Sequence, residues 1–240
     1  MKKLVRASVL ALSLALSCAA AKEHVPPERL DQWMTYYYLD SRPDEIAAAL
    51  RAVTTGGYFE NDSVQAPFSG FFAEIFRSNP GRLDAWVEPY LGVPKLHILY
   101  SALWMSNSSE SRVALERLAK SATAAEAKKL RELASTKPPT VETMKISSPA
   151  ALDYMWGYFM ASGSDKPVLR IIDQMKLVNR TGDIEAKILG GAAQWSVSAN
   201  VRQHDQVQQI VRAEAKTADP ETRALLTAIL AKLDAEPSSK

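Results

Sequence analysis

Cysteine is almost absent from this chain: Cys18 is the only one in 240 residues, so no intramolecular disulfide can form. Histidine is nearly as scarce. His24, His97 and His204 fall in neither H-x-x-x-H nor H-E-x-x-H spacing, and no cysteine stands near to complete a set, so no metal site is expected. Glycine (10) and proline (13) are too few for a collagen-like or low-complexity chain. The G-x-S-x-G elbow, the P-loop and a strand-led G-x-G-x-x-G are all missing, and no cofactor is expected. Long apolar runs are confined to the N-terminus, which excludes a multi-span membrane protein. What is present is ordinary for a globular chain, with 47% apolar and 23% charged residues.

That apolar run has the three parts of a secretory leader over residues 1–21. Lys2, Lys3 and Arg6 precede the stretch from Ala7 to Leu16, and small residues from Ser17 to Ala21 follow it. Ala19-Ala20-Ala21 fits a cut that leaves a soluble chain beginning at Lys22. Ala15-Leu16-Ser17-Cys18 resembles a lipobox, which implies a leader ending at Ser17 and a lipid on Cys18. The two cuts imply different locations, periplasmic or secreted against lipid-anchored to a bacterial membrane. Either one removes three basic residues, leaving 26 against 27 acidic ones, a net charge of −1. The mature chain therefore has no electrostatic reason to bind nucleic acid, and a lipid on Cys18 is its one expected tie to a membrane.

From Pro26 to residue 236 apolar residues recur at helical spacing with no alternating strand pattern. Ser41 with Pro43, Asn79-Pro80, Pro94, Ser109, Thr123-x-x-Glu126, Ser148-Pro149, Asp165, Asp183, His204 and Asp219-Pro220 each mark a helix start. The stripes that follow include Phe68, Phe71, Phe72, Ile75 and Phe76, and also Ile184, Ile188, Leu189, Ala192 and Trp195. The expected fold is all-α, with about twelve short antiparallel helices in a single domain and a polar tail at 237–240. Helices this short depend on packing for stability. Residues 137–147 are the best place for a hinge or a crossing loop.

Four segments repeat one layout, an aromatic-bearing helix, a small polar turn and a second helix. They end at Asn79, Asn107, Gly163 and Asn200. In layout this resembles the HEAT-type α-solenoid, which implies stacked helix pairs; the alternative is an irregular helical bundle.

Twelve of the nineteen aromatic residues fall between Trp33 and Tyr90. Tyr36, Tyr37 and Tyr38 cannot all face one core, because successive helical residues point about 100° apart. With Tyr37 on the stripe of Trp33, Tyr36 and Tyr38 flank it and at least one reaches the surface. Tyr36, Tyr38, Tyr58 and Phe59 are therefore the candidate binding residues, with Glu74 as a charge among phenylalanines. Glu74 is expected to turn away from the phenylalanine stripe toward solvent. Gly190-Gly191 sits inside a helical stripe, which calls for close helix packing or a ligand against the backbone.

No catalytic constellation emerges. The leading expectation is a non-catalytic scaffold binding an envelope protein or peptide. A glycan- or peptidoglycan-acting enzyme using Glu60 or Glu74 is one alternative. An apolar-ligand carrier with a cavity lined by Phe72, Phe76, Trp104 and Trp156 is the other.

Overall fold

Local side-chain caps fix the starts of five helices. The computed structural model describes residues 29–56, 58 and 62–235. The leader at 1–21, Cys18, Phe59, Glu60 and the tail at 237–240 lie outside the described residues. Asp183 Oδ1 accepts from the Ala186 N–H at 2.9 Å, and Asp219 Oδ1 accepts from the N–H groups of Glu221 and Thr222. Thr123 Oγ1 accepts from Glu126 N–H, as the capping-box spacing requires. Ser108 and Ser164, each one residue before the expected start, cap the helices that follow. Asn107 and Gly163 end theirs in the left-handed conformation, φ 56° and 65°.

The described residues are helical, with no strand among them. The α-helices are α1 (Leu30–Thr35), α2 (Ile46–Thr55), α3 (Asp62–Ser78), α4 (Leu83–Val87), α5 (His97–Ser106) and α6 (Ser109–Ser121). They continue as α7 (Ala124–Ser135), α8 (Pro149–Ser162), α9 (Asp165–Met175), α10 (Ile184–Gln203), α11 (Asp205–Thr217) and α12 (Pro220–Ala235). Short 3₁₀ turns join several of them. The layout expected to end in a turn at Asn200 is not one: Asn200 lies inside α10, where its amide donates to Ser196 O.

Two apolar cores form. The first gathers residues from α1 to α7 around Phe68, Phe71, Phe72 and Phe76. The second gathers α9 to α12 around Ile171, Ile172, Val197 and Leu226. Helix α8 serves both, giving Tyr154 and Ala161 to the first and Leu152, Met155, Trp156 and Phe159 to the second. It is therefore buried nearly all round.

Two glycines let α3 and α8 meet. A Cβ on Gly157 would lie 1.9 Å from Pro67 O, and one on Gly70 would lie 2.1 Å from Tyr154 O. Backbone thus lies on backbone, and only glycine at both places permits it. Gly190 has the same role toward the 3₁₀ turn Lys176–Asn179, where a Cβ would come within 2.1 Å of Val178 N. Gly191 faces open space.

These glycines make a paired prediction. Gly157→Ala destabilises the fold by about 2–3 kcal/mol or more, because two backbones must separate. Gly191→Ala stabilises it by about 0.5–1 kcal/mol, since a helical glycine is replaced where nothing obstructs a methyl group. Urea denaturation midpoints of the two variants check both signs.

Candidate functional site

Of the five binding residues expected from the sequence, the four that are described, Tyr36, Tyr38, Tyr58 and Glu74, fall in separate places. Tyr36 and Tyr38 do flank buried Tyr37, with Tyr36 exposed and Tyr38 half-buried. Both turn toward His204, with ring centroids 5.4 and 5.7 Å away, and Tyr38 also packs on Phe159 at 5.0 Å. Tyr58 is elsewhere, edge-on to Phe68. Glu74 belongs to a third region.

His204, read from the sequence as a helix start, precedes α11 without capping it through its side chain. It joins α10 to α11 and is 1% exposed. Tyr38 Oη lies 3.2 Å from its Nδ1, and its Nε2 has no hydrogen-bond partner. Burial among three rings lowers its pKa below the ordinary 6.5. The lowered pKa favours the neutral imidazole, which shares one hydrogen bond with Tyr38 through Nδ1.

Glu74 corrects an expectation. It is 4% exposed, not solvated, because the face of α3 opposite the phenylalanines lies against α8 rather than water. Both of its oxygens are engaged. Arg77 Nε and Nη2 donate to Oε2 and Oε1 at 2.6 Å each, and Ser78 Oγ donates to Oε1 at 2.9 Å. The pair lines a cavity of about 430 Å³ at the seam of the two cores, together with Asn107, Tyr154, Tyr158 and Ser162. Burial, with the Glu74 carboxylate close by, raises the pKa of both tyrosines, so their hydroxyls stay protonated. Across the cavity Lys166 pairs with Glu142 at 2.9 Å, which holds the Glu142 carboxyl down at about 2.

The four residues expected to line a carrier's cavity are not brought together. Phe72 and Phe76 are sealed in the first core and Trp156 in the second, while Trp104 lies along an open groove between α5 and α7. Trp104 Nε1 donates to Thr136 there.

Among the described residues the most exposed large apolar side chains include three on α10, where the sequence placed core. Ile184 is 69% exposed, Ile188 58% and Trp195 75%. The helix has two apolar stripes. Leu189, Ala193, Val197 and Val201 face inward, whereas Ile184, Ile188, Gly191 and Trp195 run along the outside at i, i+4, i+7 and i+11. A 3.6-residue period marks both stripes equally and does not say which one meets the protein.

Among the described residues no three His, Cys, Asp or Glu side chains stand together to hold a metal ion, and no helix is long and apolar enough to cross a membrane. Compared with known proteins, the chain matches no family model, no curated protein and no solved structure.

The buried imidazole generates a pH prediction. Its folded pKa lies below the unfolded value of 6.5, so the unfolded chain takes up the proton first as pH falls. The stability that neutral His204 contributes is complete above pH 6.5 and is lost as pH drops toward the folded pKa. Thermal melts from pH 7 to 5 should show this loss in the wild type. In His204→Phe that part of the slope should vanish.

Proposed function

We propose that this chain is an exported, non-catalytic binding protein that presents the outer face of α10 to an apolar groove on another envelope protein. The observation that carries this reading is the stripe Ile184, Ile188, Gly191 and Trp195, left in water along the longest helix. It spans about 17 Å at 1.5 Å per residue, and its spacing is that by which one helix docks in the groove of a partner. A large exposed tryptophan is the side chain most often found at the energetic centre of an interface. Isolated apolar residues on a surface need no explanation, but a continuous helical stripe around a tryptophan does.

Other features support a scaffold over an enzyme. Glu74, the best acid in the sequence, has Arg77 and Ser78 on its oxygens and none left free to transfer a proton to substrate. Consecutive helices pack on one another from α5 to α7 and again from α8 to α12, which supports a stack of helix pairs, closed by the α3–α8 crossing. Export rests on residues 1–21, with cleavage after Ala21 releasing a periplasmic or secreted chain; the alternative is cleavage before Cys18 and a lipid anchor. The intact mass of the mature protein separates the two, since only the second adds acyl chains to Cys18.

Photocrosslinking tests the docking face. A benzophenone amino acid replaces Trp195 in one variant and exposed Val113 on α6 in another, and each is irradiated in the living host. The reading predicts one discrete protein adduct at position 195, none at 113, and loss of the first on adding Ile188→Asp. Adducts identical at both positions, adducts only to lipid, or adducts only to a second copy of this chain would each overturn it.

A further inference from the structure

The cavity around Glu74 and Arg77 has no part in docking through α10, and its construction calls for a ligand of its own. We infer that the structure assigns it to a neutral, polyhydroxylated ligand of the size of one or two pyranose rings. It opens at the seam between the two cores, the kind of place where small-molecule sites concentrate, and about 430 Å³ falls within the range of such sites.

Charge excludes the ionic alternatives. Arg77 is matched by Glu74 and Lys166 by Glu142, so the ionised lining residues sum to zero. Neither an anion nor a cation gains from entering unless it breaks a pair already made. Helix ends add little bias either, a slightly negative one, with three C-termini against two N-termini. The C-termini of α3, α5 and α8 and the N-termini of α6 and α9 all border the same space, and their partial charges oppose one another.

The remaining lining is what a sugar requires. Arg77 keeps Nη1 outside its bonds to Glu74, and its side chain is 54% exposed, so a fixed planar donor borders the cavity. Asn107 brings an amide with both a donor and an acceptor, held at the left-handed end of α5. Tyr154 and Tyr158 each offer a protonated hydroxyl beside a broad apolar ring. A pyranose pairs with such a surface because each of its hydroxyls both donates and accepts, while its C–H face covers an aromatic ring. Keeping a carboxylate 4% exposed in the seam is expensive, and it orients Arg77 toward that ligand.

The test titrates the intact mature protein with maltose and, separately, with N,N′-diacetylchitobiose, following the Met105 methyl and the Asn107 side-chain amide by NMR. Inorganic phosphate is the ionic control. The inference predicts a saturable shift with at least one of the sugars, half-complete on the order of 1 mM, and none with phosphate. Tyr158→Phe removes one hydroxyl, which also bonds the buried Glu74 carboxylate, so its thermal melt is compared with that of the wild type, and Asn107→Gly removes the amide where glycine suits the backbone. Each should weaken the sugar about three- to tenfold. Trp195→Ser should bind as the wild type does, which keeps this result separate from the fate of the α10 reading. Failure of both sugars to shift these signals, saturation by phosphate, or sugar binding unchanged in both cavity variants would overturn the inference.

Discussion

The close approach of α3 and α8 at Gly70 and Gly157 is the constraint on which the other features depend. With carbonyls of each helix seated where the other lacks a side chain, the two axes come nearer than branched residues would allow. Helix α8 is thereby pressed against the Gly70 face of α3, opposite the phenylalanines, and adds Tyr154 and Ala161 to the first core, while its other side, through Met155 and Phe159, closes the second. One helix then serves two cores. The alternative, two cores each finished by its own helix, would leave an ordinary polar interface between them.

That arrangement also explains where the charges went. A helix enclosed on two sides has no solvated face for Glu74, so the carboxylate remains only because Arg77, one turn along α3, reaches back with two hydrogen bonds. Removing Arg77 would leave the buried Glu74 carboxylate without its charge partner, which is strongly destabilising. The cavity exists because helix ends, rather than helix faces, meet at this point of the seam. Ends leave backbone groups and short polar side chains where faces would leave methyl groups. The same enclosure accounts for His204, which closes the second core beneath Tyr36 and Tyr38 instead of standing at a surface.

Much of the helical framework was legible in the sequence because capping is local. Thr123, Asp183 and Asp219 act on residues two or three positions away, so spacing alone identified them. The phenylalanine stripe of α3 was legible for a similar reason, since no other face of that helix is so apolar. What escaped was every feature that depends on a distant partner. Gly70 and Gly157 gave no signal, because a glycine within a helix reads as a local weakness until the opposing backbone is known. Gly190 was detectable through its place in a stripe, but nothing distinguished it from Gly191, which faces open space. On α10 periodicity found two apolar stripes and assigned the outer one inward. Glu74 was placed in water because neighbouring helices are invisible to a helical wheel. The seam cavity draws on five helices and the 139–142 segment, a combination that no local spacing encodes.

Native-state hydrogen exchange tests most directly whether α8 unites the two cores. If it does, the slowest amides of α3, α8, α9 and α10 open only together and report one common free energy, equal to that of global unfolding. A second, lower free energy shared by the slowest amides of α9–α12, with α3 and α5 still protected, would contradict the account. It would mean that the second core opens by itself and that the glycine crossing is a contact between neighbours rather than the support of the fold.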